Sequence, residues 1–424
     1  MARSTARDEW RASGIRLLKK MLERPNLSLS AAIANKAIKQ YGQVAKPLQL
    51  KTVVNLARGC NVILLAGTRF GKSRISELYH NLTPKESKAV VVVLNPLDAL
   101  GDNQVLEKKQ AGFTAINLKF NPMEARKITR GEYNFVYVSP EIFLNSQLFT
   151  QLYFLPKFQN RPSLVVVDEA HLIYQWGRVK SKRGRANKRK TSAHQRLEDC
   201  GVFRPSYRNL GQRLLACNSA PILLMGELTC PEIRIVRVAM KGSLQSCADL
   251  SNLYAPASEV PNDQVPPMLI YSGTQRKTGK VLEVLAAARG MPDDASNTRS
   301  KLARQYHSCT GENDKTICVE DFGNERFPVV SCTMALGMGQ NWKRVQSVIT
   351  MGRADPSAIC QMIGRCGRNG KPGLAIIFVE KNQFGGKNNL PAFEEGDSQD
   401  NDDRMDALAL TPVCLRIALA IDNQ

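Results

Sequence analysis

A chain of 424 residues is longer than one hydrophobic core usually supports, so the length predicts two domains. Its 59 Lys and Arg against 38 Asp and Glu give a formal net charge of +21. This charge favours nucleic acid over an anionic membrane as a partner, and the alternative is a basic surface that serves only solubility. The eleven cysteines form no Cys-x-x-Cys pair, which argues against a disulfide framework and a zinc site. No apolar run approaches the roughly 20 residues that span a bilayer, which argues against a membrane span.

Residues 1–40 are predicted to form a helical extension. Apolar side chains recur at helical spacing from Trp10 to Leu22, and Pro25 interrupts the run. A second helical stretch is predicted at Ala31–Gln40.

From residue 41 onward, short apolar segments alternate with stretches long enough for a helix, which is the pattern of a doubly wound parallel sheet. The predicted strands of the first half are Asn61–Leu65, Ala89–Leu94, Phe135–Val138, Leu164–Val167 and Pro221–Met225. Ala255–Pro267 is predicted to be a linker. The predicted strands of the second half are Met268–Tyr271, Val329–Cys332, Val345–Thr350 and Leu374–Val379. The sequence therefore predicts an α/β fold with two lobes, at residues 41–255 and 256–382.

Two polar segments depart from this pattern. A basic insertion at residues 178–202 is densest in Lys and Arg over 178–196. The acidic segment Glu394–Asp403 is predicted to be a mobile linker and a surface for protein partners, and Leu408–Ile421 is predicted to be one helix. Residues 383–424 are thus predicted to be an acidic linker followed by a helix.

The strongest local motif lies between the first predicted strand and a helix. A phosphate chain needs backbone N–H groups, a helix N-terminus and a nearby cation, and glycines let such a loop wrap closely. Lys72 is predicted to reach the β- and γ-phosphates of ATP, and the Ser73 hydroxyl is predicted to bind Mg²⁺. The motif has Ala66 where the general pattern has Gly. Its predicted nucleotide contacts are Gly67, Thr68, Arg69, Phe70, Gly71, Lys72 and Ser73.

About 95 residues later, Asp168 and Glu169 follow a predicted buried strand and are followed by Ala170 and His171. Carboxylates at such a position are costly unless they serve a cation or accept a proton. Asp168 is predicted to hold the Mg²⁺ shell, and Glu169 to orient or deprotonate the attacking water. The alternative for either acid alone is an ordinary polar strand end.

The second half contributes a motif that begins at Gln361. Arg365 and Arg368 lie three residues apart, which predicts that they share one face of a helix. Guanidinium groups there can neutralise the charge that develops on a transferring γ-phosphoryl group. If these groups belong to the second lobe, and Lys72 and Glu169 to the first, hydrolysis requires the lobes to close, which can drive movement. A solvated arginine face is the alternative.

In this order the three motifs resemble those of superfamily-two helicases, and further segments resemble RecQ DNA helicases. Gln175-Trp176-Gly177 and the run Phe203–Gly211 (FRPSYRNLG) are similar to the family's aromatic-rich loop, which senses single-stranded DNA. Ala335–Asn341 (ALGMGQN) is similar to the family segment that links DNA and nucleotide. The resemblance implies two RecA-like lobes of the P-loop NTPase type, ATP and Mg²⁺ as cofactors, and 3′-to-5′ movement on single-stranded DNA with duplex unwinding.

The resemblance also implies roles for individual residues. The implied catalytic residues are Lys72, Asp168, Glu169, Gln361, Arg365 and Arg368. Further nucleotide contacts are implied for Tyr41, Lys46, Gln49 and Gly339, with the first three at the adenine. Contacts to nucleic acid are implied for Pro96, Gln104, Ser139, Trp176, Phe203, Arg204, Ser272 and Thr333.

Several features depart from the family pattern. The basic insertion splits the aromatic-rich loop, and it is a candidate DNA-binding arm, nuclear import signal or solvated loop. Cys230-Pro231 stands where the family has Ala-Thr, which puts the coupling of hydrolysis to unwinding in question. Lys46 stands where Arg is usual, one residue closer to Tyr41, and Cys414 alone cannot complete a zinc site in the tail.

These departures leave two alternatives open: a nucleic-acid clamp that binds ATP without unwinding, and an RNA-directed helicase. We expect an intracellular, nuclear monomer that binds single-stranded and duplex DNA and no membrane.

Overall fold

A computed structural model gives the fold and describes residues 17–67, 70–95, 98–119, 122–170, 222–226, 228, 230–336, 340, 342–368, 371–394, 396 and 399–422. The chain forms two compact units. Among the described residues, the first comprises 17–66, 70–170 and 222–226, and the second comprises 67 and 228–422. The α/β prediction is confirmed, since each unit is built on parallel strands with helices between them.

The strands of the first unit are β1 (Val62–Leu65), β2 (Val90–Leu94), β3 (Ala115–Asn117), β4 (Phe135–Val138), β5 (Pro162–Val167) and β6 (Ile222–Met225). They pair in parallel, in the order β3-β4-β2-β5, with β1 paired to β6. All five side chains of β2 are buried, as expected for a Val-rich strand covered on both faces. The helices are α1 (Lys19–Leu22), α2 (Asn26–Tyr41), α3 (Pro47–Ala57), α4 (Ser73–His80), α5 (Asp98–Gln110), α6 (Pro122–Arg130), α7 (Pro140–Asn145), α8 (Gln147–Tyr153) and α9 (Pro156–Gln159).

The N-terminal helices pack into the core of the first unit. Leu29 and Ile33 on α2 are buried in one cluster with Val53 of α3 and Leu78 of α4. Helix α2 is also longer than predicted. It ends at Gly42, whose left-handed backbone (φ +65°) suits a residue without a Cβ.

The strands of the second unit are β7 (Ile233–Ala239), β8 (Met268–Tyr271), β9 (Ala303–Tyr306), β10 (Val329–Cys332), β11 (Ser347–Met351) and β12 (Gly373–Val379). They form one parallel sheet in the order β7-β12-β11-β8-β10-β9. The helices are α10 (Gln275–Ala288), α11 (Glu312–Gly323), α12 (Pro356–Ile363), α13 (Asn401–Leu410) and α14 (Leu415–Asp422). Within the described ranges, no helix is both long and apolar enough to cross a membrane.

The boundary between the units lies earlier than the predicted residue 256. Strand β7 pairs with β12 along its whole length, from Ile233 opposite Gly373 to Ala239 opposite Val379. The second unit therefore includes β7, which precedes the predicted linker.

The C-terminal region packs on the second unit, and the prediction of one helix over 408–421 is wrong because two helices, α13 and α14, share this range. Asp400 caps the first turn of α13 by accepting from the backbone of Asp402 and Asp403. Met405 of α13 and Leu419 of α14 are buried in the second unit's core. The helices are separate because Pro412 cannot continue α13.

A buried ion pair attaches α13 to the sheet. Arg353, just after β11, donates to Asp406 at 3.0 Å, and both side chains are only 1% exposed. The second Asp406 oxygen accepts from the backbone N–H of Lys387 at 2.7 Å.

Replacing Arg353 by methionine is expected to lower the free energy of unfolding of the second unit by about 3–5 kcal/mol, because the Asp406 carboxylate stays buried without its counter-charge. Lys387→Met is the matched control. Its ammonium pairs with Asp403 at 3.5 Å in a partly exposed site, and its loss should cost less than about 1 kcal/mol. Urea unfolding followed by circular dichroism measures both, and equal losses would contradict the prediction.

Candidate functional site

The glycine-containing loop lies between β1 and α4, as predicted. Gly71 has a left-handed backbone (φ +86°), and a Cβ there would lie 2.8 Å from the Gln49 amide nitrogen. Lys72 immediately precedes α4, and its Nζ donates to the Ala66 carbonyl at 2.8 Å. The ammonium is therefore held over the loop, at the helix N-terminus where a phosphate chain binds best. Thr68 and Arg69 lie outside the described residues.

Gln49 supports the loop. Its amide nitrogen donates to the carbonyls of Phe70 at 3.2 Å and Gly71 at 3.0 Å, while its oxygen accepts from the Lys46 N–H at 2.8 Å. Its side chain is 2% exposed. The Lys46 ammonium lies 5.0 Å from the centre of the Phe70 ring. Both residues thus lie at the loop, where their adenine contacts stay predictions.

Tyr41 lies beside helix α4. Its hydroxyl donates to Glu77 at 2.5 Å, and the Arg74 guanidinium lies 4.6 Å from the centre of its ring. Burial, followed by the hydrogen bond to Glu77, raises the pKa of Tyr41, so this residue acts as a neutral donor. One face of the ring is already covered by Arg74, and the predicted adenine contact needs the other face.

The predicted acidic pair follows β5 at the carboxyl edge of the sheet. Asp168 accepts from the Gln104 amide at 2.7 Å and from the Glu169 backbone N–H at 3.0 Å. Burial, and then the Glu169 charge, raise the pKa of Asp168, and Lys72 acts in the opposite direction. Glu169 has a left-handed backbone (φ +50°), which is unusual for a residue with a side chain and is typical of functional sites.

The donor set fits Mg²⁺. The Ser73 hydroxyl and the Asp168 carboxylate are hard oxygen ligands, and a divalent cation would offset the unfavourable burial of the Asp168 charge. Within the described ranges, no three His, Cys, Asp or Glu side chains are grouped as metal ligands, so a cation here relies on few protein ligands and on the phosphates.

In the second unit the predicted arginine helix ends early, which corrects the expectation that Arg365 and Arg368 share a helix face. Helix α12 carries Gln361 but ends at Ile363, and both arginines lie in the turn that follows. Gly367 of this turn packs closely against Gly373, since a Cβ on Gly373 would lie 2.8 Å from the Gly367 nitrogen.

Both arginines nevertheless lie near the end of β8. Burial raises the pKa of Tyr271, and the charges of Arg365 and Arg368 oppose that rise. Arg365 also donates to the Gln340 carbonyl at 3.0 Å. The turn thus brings the two guanidinium groups to the carboxyl edge of the second sheet, where ligands of parallel sheets bind.

The chain matches two family descriptions. DEAD/DEAH box helicase matches residues 46–197, and Helicase conserved C-terminal domain matches residues 257–370. The chain therefore carries the two domains of a helicase core. These domains imply that the helicase core uses ATP.

Two curated relatives illustrate the similarity. The probable ATP-dependent DNA helicase RecS of Bacillus subtilis is 24% identical over 361 residues, which cover 79% of the helicase core and 64% of RecS. The ATP-dependent DNA helicase RecQ of Haemophilus influenzae is 24% identical over 396 residues, which cover 86% of the core and 55% of RecQ. The helicase core therefore spans less than two thirds of either relative.

A solved structure supports the fold. The DUF1998 helicase MrfA, in a crystal structure with DNA and AMPPNP, matches the helicase core with a TM-score of 0.55 and 15% identity. The match covers 87% of this chain and 52% of MrfA. The two parallel-sheet units are thus RecA-like lobes.

The structure places only some of the predicted nucleic-acid contacts of the helicase core. Ser272 and Thr333 follow β8 and β10 and are buried at the carboxyl edge of the second sheet. Ser139 caps α7 by accepting from Ile142, and Gln104 donates to Asp168, so these two side chains already have protein partners. The predicted residues Pro96, Trp176, Phe203, Arg204 and Gly339 lie outside the described residues.

The sequence analysis did not identify the partners of the predicted site residues. Glu77 and Lys108 form a buried ion pair beside the loop. Gln104, predicted only as a contact to nucleic acid, donates to Asp168. Their signal in the sequence was present but weak. Glu77 lies four residues after Ser73 on α4, and Lys108 lies four residues after Gln104 on α5, so each shares a helix face with a predicted site residue.

Proposed function

We propose that this helicase core hydrolyses Mg²⁺-ATP and uses the energy to move 3′ to 5′ along single-stranded DNA and to separate duplex DNA. The arrangement of Lys72, Asp168 and Glu169 supports the hydrolysis. The ammonium is held over the phosphate loop, and the two carboxylates follow β5, one partly buried and one in a strained backbone conformation. These three groups are suited to binding Mg²⁺, orienting water and stabilising the transferred phosphoryl group.

In the chemical step, Lys72 exchanges its hydrogen bond with Ala66 for oxygens of the β- and γ-phosphates. Ser73 and Asp168 would hold Mg²⁺, which would withdraw negative charge from the phosphates. Glu169 accepts a hydrogen bond from the attacking water and aligns it with the γ-phosphorus. A guanidinium group beside the transferring group would neutralise its developing charge, which is the role predicted for Arg365 and Arg368.

DNA as the substrate is supported by the net charge of +21 and by the names of the relatives RecS and RecQ. Each lysine or arginine placed near a phosphate releases a condensed counterion and so strengthens binding to a polyanion.

A clamp that binds without unwinding is the second candidate. Cys230 has a left-handed backbone (φ +44°), which is strained for this residue, and Pro231 beside it has no backbone N–H. These residues occupy the position at which the family couples hydrolysis to unwinding, so hydrolysis without strand separation is its expected signature.

One set of assays tests these candidates. ATPase rates are measured without nucleic acid and with single-stranded DNA or RNA of equal length, and strand displacement is measured on duplexes with 3′ or 5′ single-stranded tails. The proposal predicts stronger stimulation by DNA and displacement of the 3′-tailed duplex. Stimulation without displacement identifies the clamp, whereas stronger stimulation by RNA or displacement of only the 5′-tailed duplex contradicts the proposal.

A further inference from the structure

A buried charge lies behind the phosphate loop and has no role in the function proposed so far. Lys108 on α5 is only 3% exposed and forms an ion pair with Glu77 on α4, which is itself buried. Glu77 also accepts the hydroxyl of Tyr41 at 2.5 Å. The ammonium also lies 4.8 Å from the centre of the Phe135 ring.

Stability alone does not account for this pair. Burial of two charges costs more than most ion pairs return, and apolar side chains of similar size would hold α4 against α5 at least as well. Burial lowers the pKa of Lys108, and the charge of Glu77 opposes that change. A group retained at such a cost is a candidate for a positional role.

The third contact of Lys108 indicates what is positioned. Its Nζ donates to the carbonyl oxygen of Ser73 at 2.9 Å. Ser73 is the first residue of α4, and its hydroxyl is the proposed Mg²⁺ ligand. The hydrogen bond therefore holds the peptide that carries this ligand.

The same face of α5 reaches the other proposed ligand. Gln104 lies one turn before Lys108 and donates to the Asp168 carboxylate at 2.7 Å. Helix α5 thus contacts both protein groups of the Mg²⁺ site, one through a carbonyl and the other through a carboxylate. Partners of this kind commonly tune metal affinity by about 10- to 100-fold.

We propose that Lys108 is a positioning residue of the Mg²⁺ site, which orients Ser73 through its carbonyl oxygen while Gln104 orients Asp168 from the same helix. This inference rests on the proposed Mg²⁺-ATP site and deepens it.

The test measures how much Mg²⁺ strengthens nucleotide binding, by titrating the full chain with a fluorescent ATP analogue in Mg²⁺ or in EDTA. Lys108→Met alone would leave the Glu77 carboxylate buried without a counter-charge and would endanger folding. The variant is therefore Glu77→Gln/Lys108→Met, in which a neutral amide keeps a partner for Tyr41. Lys109→Met is the matched control, since Lys109 is the exposed neighbour on the same helix.

In the paired variant we expect the strengthening by Mg²⁺ to fall about 10-fold, with affinity in EDTA and the thermal midpoint close to those of the parent. Gln104→Leu should lower the same quantity, because it releases Asp168. A paired variant that keeps the parental Mg²⁺ effect would overturn the inference while leaving the proposed function intact. A parent whose nucleotide affinity does not respond to Mg²⁺ would instead contradict the proposed function, and this inference with it. If the paired variant does not fold, the result for Gln104→Leu decides: a parental Mg²⁺ effect then rejects a role for α5.

Discussion

Replacing Lys72 by alanine is expected to lower the ATPase rate by at least about 100-fold, measured at saturating single-stranded DNA and Mg²⁺-ATP. The loop holds this ammonium 2.8 Å from the Ala66 carbonyl, at the N-terminus of α4. Removing a fixed positive group that faces developing charge typically costs about 10²- to 10³-fold in rate. Nucleotide affinity should fall as well, because the same ammonium contacts the ground-state phosphates.

The control for this substitution is Lys51→Ala, which removes an exposed lysine from α3. It also lowers the net charge by one, so it corrects for any general loss of attraction to DNA. Since Lys72 is exposed, its loss should not shift the thermal midpoint. Hydrolysis by Lys72→Ala at the parental rate would remove the basis of the proposed active site.

Replacing Glu169 by glutamine is expected to lower hydrolysis by about 10²- to 10⁴-fold while nucleotide binding is retained. The amide has nearly the same shape as the carboxylate, but it cannot accept the proton of the attacking water. The left-handed backbone at this position (φ +50°) is unchanged, so the side chain keeps its direction. Removing this charge should also lower the pKa of Asp168, because the Glu169 charge contributes to raising it.

Steady-state hydrolysis and titration of the fluorescent ATP analogue separate the two effects. Glu132→Gln is the matched control, since Glu132 is an exposed acid whose nearest basic partner, Arg130, is 3.9 Å away. The expected pattern is lost turnover with parental affinity in Glu169→Gln, and no change in the control. Equal losses of affinity and turnover would mean that Glu169 serves in binding and not in the chemical step.

The apolar strands were predictable from the sequence, and the polar ones were not. Runs such as Val90–Leu94 are apolar along their whole length because both faces of a parallel strand are covered. Strand β9 escaped prediction because it contains Arg304, which is buried through an ion pair with Asp321 at 2.7 Å. The partner lies 17 residues away on α11, so local composition could not indicate that the arginine would be inside the protein.

The same distinction applies to the site. Lys72, Asp168 and Glu169 could be predicted because each is fixed by short-range constraints: a glycine turn before a helix, or acids directly after a strand. The turn that carries Arg365 and Arg368 could not, because it depends on the close approach of Gly367 to Gly373. Nor could the contact between Gln104 and Asp168, which are 64 residues apart.

The sequence by itself determined the α/β pattern, the phosphate loop and the acidic pair, since strand burial and the binding of phosphate depend on neighbouring residues. Only the tertiary structure decided that β7 belongs to the second unit, that the C-terminal helices pack on it and that α5 supports both proposed Mg²⁺ ligands. Each of these features joins groups that are distant along the chain. Burial makes such pairs of polar groups necessary, but it does not determine from the sequence which partner each group will meet.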